Sequence, residues 1–161
     1  MKKIQPHGYL VFVSGLLLFL LAACIRPEGA QPPTAAQTAL QAAQQQWQAQ
    51  QIASYSYNLS VSCFCIEDVR QPVVITVTDG ETTSIVKAED GAPAAAEFFE
   101  EYNTVEKLFA LIQKAIDEQA AEITVTYDPT LGYPTDIKLD GSTQIADDER
   151  FLTMSDLQVA Q

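Results

Sequence analysis

The chain holds a single histidine, His7, and only nine lysines and arginines against 21 aspartates and glutamates. It has one tryptophan and three cysteines. The histidine shortage is severe, because His7 lies in a segment that reads as removable. Without it no Ser-His-Asp triad, Cys-His pair or imidazole metal ligand can be built. The usual proton shuttle at neutral pH is missing too. Catalysis would fall to Asp, Glu, Cys, Tyr or Lys, which favours a non-enzyme. The shortage of positive charge argues against nucleic acid as a partner, because phosphates are bound by Lys and Arg. It also argues against a peripheral grip on anionic headgroups.

What is present begins with Leu21-Ala22-Ala23-Cys24. Lys2 and Lys3 give a positive start, Tyr9 to Leu21 is almost unbroken apolar sequence, and small residues lead into one cysteine. That order is a secretory signal peptide with its cleavage site. An uncleaved membrane helix is the competing reading. The run from Tyr9 to Ile25 sits at the short edge of the ~17–25 residues needed to span a bilayer. Ser14 and Gly15 weaken it, and Arg26, Pro27 and Glu28 end it.

The stretch resembles a bacterial lipoprotein signal, cleaved before Cys24. The resemblance implies loss of residues 1–23 and a thioether-linked diacylglycerol on Cys24, usually with an amide-linked chain such as palmitate. That covalent lipid is the only cofactor expected, and the membrane is reached through it. Two or three chains hold stably where one does not, at ~0.8 kcal/mol per buried methylene. Ile25, not aspartate, follows the cysteine. The family sorting rule then implies the outer membrane of a two-membrane cell, or otherwise the outer face of the plasma membrane. Cleavage removes Lys2 and Lys3 and no acidic residue, leaving seven basic against 21 acidic residues, a net charge of −14. The remaining 138 residues suffice for one domain with a core.

Residues 24–37 read as the lipidated cysteine and a Pro/Ala/Gln tether that cannot bury enough surface to fold. Residues 38–161 read as a single domain. An Ala/Gln-rich helix is expected over Thr38 to Ile52, with Leu40, Ala43 and Trp47 on one face. Strict alternation from Tyr55 to Cys65 predicts a half-buried strand. A second strand covers Val73 to Thr78, Asp79-Gly80 is a two-residue hairpin turn, and a third strand covers about Thr82 to Ala88. An acidic loop follows, tucked down by Phe98, Phe99 and Tyr102. Asn103 and Glu106 form a capping-box pattern for a helix whose stripe is Val105, Leu108, Phe109, Ile112, Ala115 and Ile116. Strands are expected over Glu122 to Tyr127, Pro134 to Asp140 and Arg150 to Leu157, with a turn at Asp128–Gly132. The element order is α-β-β-β-α-β-β-β. It predicts an α+β domain, a curved antiparallel sheet of about six strands with two helices on one face.

Trp47, Tyr55-Ser-Tyr57, Cys63-Phe-Cys65, Thr104–Phe109, Tyr127-Asp-Pro-Thr-Leu-Gly-Tyr-Pro134 and Ala146–Glu149 form an ordered set. It resembles a family of secreted bacterial lipoproteins known only as a domain of unknown function. The resemblance would cover about Trp47 to Leu157 and brings no activity, substrate or site residue with it.

Three constellations remain as sites. If Cys24 is lipidated, Cys63 and Cys65 are the cysteines left in an oxidising compartment. Neighbours at this spacing on a strand lie about 6.5 Å apart, at the long edge of disulfide geometry. A short-loop disulfide, a redox-active pair, or a soft-metal site helped by Glu67 and Asp68 are all open readings. No helix start is predicted beside the pair to lower a thiol pKa. Asp140, Asp147, Asp148 and Glu149 flank one loop and could hold Ca²⁺, though a solvated hairpin tip fits the spacing better. Tyr133, before Pro134, is either a hairpin residue that helps set register or an exposed partner anchor. The function expected from all this is a lipid-anchored extracytoplasmic module that binds an envelope protein or small ligand, or plays a structural part in the envelope. The alternative is a thiol redox or metal-handling protein centred on Cys63 and Cys65.

Overall fold

The protein is described by a computed structural model over residues 34–142, 144, 145 and 147–160. The first helix, α1 (Ala35–Gln50), starts three residues ahead of the expected Thr38. The reason is local: the Thr34 hydroxyl accepts a hydrogen bond from the Gln37 amide at 3.1 Å, satisfying one of the orphan donors of the first turn. Leu40, Ala43 and Trp47 form its buried face.

Six strands follow the expected boundaries closely: β1 (Tyr55–Cys63), β2 (Val73–Thr78), β3 (Glu81–Lys87), β4 (Glu122–Tyr127), β5 (Pro134–Asp140) and β6 (Arg150–Val159). The sheet is wholly antiparallel, in the order β3-β2-β1-β6-β5-β4. Each half of the chain makes a three-stranded meander, and the two join through β1 and β6. The register runs from Tyr55 opposite Val159 to Cys63 opposite Arg150. One bulge in β6 absorbs an extra residue opposite Ser56–Asn58, and Asp156 takes the positive φ of 53° there. The Asp156 carboxylate accepts from Asn58 Nδ2 at 2.8 Å.

Two short elements were not announced by periodicity. A one-turn helix, α2 (Glu67–Arg70), lies between β1 and β2, and a 3₁₀ turn spans Ala96–Phe99. Of the aromatic residues expected to tuck this loop down, Phe99 and Tyr102 are buried and Phe98 is exposed.

The main second helix, α3 (Val105–Asp117), is capped by Thr104, not by the expected Asn103. The Thr104 hydroxyl accepts from the Lys107 amide at 3.2 Å. Glu106 does not reach back to the cap, because its carboxylate is claimed by the core. It accepts from Trp47 Nε1 at 2.8 Å and from the Tyr55 hydroxyl at 3.4 Å. The Tyr55 oxygen in turn accepts from the Val105 amide at 2.9 Å, and the Tyr57 hydroxyl donates to the Tyr102 carbonyl at 2.7 Å. Both long helices thus cover the Tyr55/Tyr57/Leu59/Val61 face of β1, while Ser60 and Ser62 lie exposed on the other. Facing glutamines Gln37 and Gln113 bridge α1 to α3 at 2.9 Å.

The turn between β4 and β5 forms as its sequence dictates. Asp128 Oδ1 accepts from the Thr130 and Leu131 amides at 2.9 and 2.7 Å, and Gly132 takes a φ of +85°. This turn is pressed against α1: a Cβ on Gly132 would stand 2.6 Å from the Ala43 carbonyl oxygen and 2.9 Å from Gln46 Cβ. The Asp79-Gly80 hairpin also has positive φ at both residues, as a type I′ turn requires, but the space around Gly80 is open.

Two predictions follow from this packing. Gly132→Ala should cost about 2–5 kcal/mol, adding left-handed strain to a backbone clash. Gly80→Ala carries the strain alone, about 1–2 kcal/mol. Urea midpoints measure both, and similar losses would refute the close approach of turn and helix. The second concerns alkaline pH. Burial pushes the Tyr55 and Tyr57 hydroxyls well above the ordinary tyrosine value, with Glu106's charge adding to the rise, and burial pushes Tyr127 up to about 12. A raised folded-state value favours the neutral phenol, so this stability is complete below the unfolded value of about 10 and drains away as pH climbs past it. Tyrosinate absorbance should therefore appear together with loss of circular dichroism. Ionisation of all tyrosines near pH 10 in a folded protein would contradict the burial.

Candidate functional site

The expected strand through Cys65 stops at Cys63, and the cysteines are the reason. Their sulfurs lie at bonding separation, and their Cα atoms are 5.3 Å apart, closer than about 6.5 Å for extended neighbours. Drawing positions 63 and 65 together bends the chain at the residue between. Phe64 is thrown outward and is 82% exposed, the most exposed large apolar side chain among the described residues. Ile66 follows it into solvent, and α2 then turns the chain back, with Val69 buried beneath.

Across the sheet, β6 starts at Arg150 opposite Cys63, so Phe151 stands opposite Ser62 on the open face. Phe98, from the 3₁₀ turn, approaches from the helix side. Phe64 forms a ridge between two clefts. One, of about 230 Å³, runs from Ser62 and Phe64 to Phe151; the other, of about 380 Å³, is floored by Val69 and Tyr102 and walled by Phe98. Asp147 and Glu149 line both. Six large apolar side chains are exposed among the described residues, and Phe64, Ile66, Phe98 and Phe151 lie at this end of the sheet. Arg150 is held at the base of the second cleft, its Nη1 3.4 Å from both Glu101 Oε2 and the Tyr102 hydroxyl. The arrangement offers apolar contact area beside carboxylate charge.

Other candidate residues are placed differently. Cys24 lies outside the described residues. Tyr133 is only 9% exposed, and its ring makes a T-shaped contact with Trp47 at 6.4 Å between ring centres, so the exposed partner anchor expected there is corrected to a core residue. The Tyr133–Pro134 bond is trans. Of the four carboxylates expected around one loop, Asp147, Asp148 and Glu149 line the larger cleft and Asp140 stands apart. Asp140 Oδ1 caps its own turn by accepting from the Ser142 amide at 3.0 Å, Asp148 lies under Gly141, and Asp147, at a φ of 74°, lines the Phe64 clefts with Glu149. Among the described residues no three Asp, Glu, Cys or His side chains are grouped to hold a metal ion, with Glu67 and Asp68 included. The sulfurs are half-buried against the core. A helix does start beside them, contrary to expectation, but α2 is one turn long and opens with Glu67 and Asp68. Sequence reasoning missed Phe64, Phe98 and Phe151. Alternation in β6 carried the signal for Phe151, since Leu152 and Met154 point inward.

The chain belongs to a family of unknown function (DUF6174), whose model matches residues 39–159. No curated protein and no solved structure matches it.

A bond between residues two apart closes so small a loop that it removes little chain entropy. Replacing both cysteines by serine should cost under ~2 kcal/mol, leaving a cooperatively folded domain whose Phe64 resonances alone broaden or shift. Global unfolding of the double variant in the absence of denaturant would show that the pair staples the fold instead.

Proposed function

We propose that the protein is a lipid-anchored extracytoplasmic binding module, held to the membrane by Cys24 and presenting the Phe64 end of its sheet to a partner. The observation that carries the binding role is the concentration of exposed apolar side chains around one disulfide-bent tip. Soluble domains seldom leave such a group uncovered without use for it. Among the described residues no helix is long and apolar enough to cross a membrane. The anchor therefore rests on the signal-like segment and Cys24.

The sequence alternative, thiol redox or metal handling at Cys63 and Cys65, has less physical support. A reactive thiolate needs nearby positive charge or a helix dipole. Here the single turn of α2 places Glu67 and Asp68 close to the pair, and their negative charge opposes thiolate formation. We read the bond as a disulfide that shapes the tip.

Cell fractionation of the whole chain, with mass analysis of the N-terminal peptide, tests the anchor. The expected result is recovery with membranes, a diacylglyceryl adduct on Cys24, and release of Cys24→Ser into the soluble extracytoplasmic fraction. An unmodified Cys24, or a Cys24→Ser chain that stays with membranes, would overturn it.

A further inference from the structure

The two clefts flanking Phe64 share a chemical asymmetry that narrows the partner. Each has an apolar wall and a carboxylate wall. Phe64 and Phe151 bound the first and Phe64 and Phe98 the second, while Asp147 and Glu149 stand in both. The carboxylates around the tip outnumber the cations. Glu67 and Asp68 rise from α2 with one counter-charge, Arg70; Arg150 is already engaged by Glu101, and Lys138, whose Nζ lies 5.6 Å over the Phe151 ring, by Glu122. Asp148, half-buried, joins Asp147 and Glu149 in lining the larger cleft.

We infer that the Phe64 ridge and its two clefts take an extended segment of another protein in which apolar side chains alternate with lysine or arginine. The inference rests on the binding-module reading and gives its partner a chemistry. Apolar residues of such a segment cover Phe64, Phe98 and Phe151, and its cations meet Asp147, Asp148 and Glu149. Period-two alternation suits the site, because an extended chain sends successive side chains to opposite walls. Acidic segments are rejected by like charge, and so is the anionic surface of a bilayer. The disulfide contributes preorganisation: with positions 63 and 65 fixed, Phe64 is held outward before the partner arrives, which lowers the ordering cost of binding.

The test uses the full chain carrying Cys24→Ser and a fluorescein-labelled twelve-residue peptide alternating leucine and lysine, with a leucine–glutamate peptide as control. Fluorescence anisotropy should show binding of the lysine peptide only, weakening at least tenfold between low and physiological salt. Phe64→Ala, exposed and therefore safe for folding, should weaken binding at least tenfold. Asp147→Asn with Glu149→Gln should weaken it comparably and flatten the salt dependence. Equal binding of both peptides, binding of neither, or indifference to these variants would overturn the inference. A concentration-dependent dimer that Phe64→Ala abolishes would assign the surface to a second copy of the chain and likewise overturn it. Binding to phosphatidylglycerol vesicles through Phe64 would do the same in favour of a membrane. The fractionation and Cys24 mass measurement fail or succeed separately. A lipidated chain that ignores the lysine peptide loses only the partner chemistry, and an unlipidated chain that binds it loses only the anchor.

Discussion

The carboxylate of Glu106 is the polar contact that ties both long helices to the central strand. It joins three elements that are far apart in the chain: Trp47 from α1, Tyr55 from β1 and its own position in the first turn of α3. Tyr55 extends the link by accepting from the Val105 amide, one of the donors that a helix N-terminus leaves unpaired. Removing the carboxylate would take an acceptor from the indole and from the phenol, each a loss of about 0.5–1.5 kcal/mol because Glu106 itself is exposed to water. Its place at the positive end of α3 adds a favourable dipole interaction. The aromatic rings then have little choice of arrangement. Trp47 makes T-shaped contacts with Tyr55 at 5.4 Å and with Tyr133 at 6.4 Å between ring centres, and Tyr55 stacks beside Tyr57 at 5.9 Å.

This polar and aromatic knot fixes one end of β1 under both helices and leaves the other end outside that cover. At the Tyr55 end every side chain on the inner face is covered. At the Cys63 end the chain passes beyond that cover, and the sulfur pair turns it outward. The central position of β1 makes the difference consequential, since the bend at its end lies beside the start of β6, where Arg150 pairs with Cys63. The sheet edges are managed unequally as well. Residues 92–94 cover the end of β3, through the Lys87 amide to the Ala92 carbonyl at 2.8 Å and the Ala94 amide to the Ile85 carbonyl at 3.0 Å. Edge strand β4 instead leans half-buried on α1.

Much of this was legible in the residues, and the division between legible and illegible is physical. Alternation located all six strands within about two residues, because period two is a local property of a half-buried face. The amphipathic stripe located α3 for the same reason, although Leu111 proved buried and Ile116 only partly so. Turn chemistry at Asp79-Gly80 and Asp128–Gly132 was equally local. Strand order was not legible, since pairing β1 with β6 depends on contacts across the whole chain. The misassigned cap of α3 has the same origin. Asn103 and Glu106 match a capping box in isolation, but a tertiary donor, the Trp47 indole, outbid the local one. Tyr133 failed as an exposed anchor because the turn that carries it folds back onto α1, which no local pattern records.

The candidate site was half visible. Period-two alternation marks the two cysteines but carries no signal for the residue between them, and Phe64 is where the geometry leads. A disulfide spanning two residues cannot stabilise much, so its value must lie in shape. It converts a strand end into a bend and commits one phenylalanine to solvent. The acidic charge of the chain gains meaning at the same place. Spread evenly, a net charge of −12 gives solubility and little else. Under the proposed binding role, charge set around uncovered apolar side chains would give selectivity, because apolar contact alone accepts any greasy surface while carboxylates repel negative ones. Shape from the sulfur pair and sign from the carboxylates act on the same few ångströms of surface. That coincidence separates the Phe64 tip from the other exposed apolar positions, Ile145 and Val159.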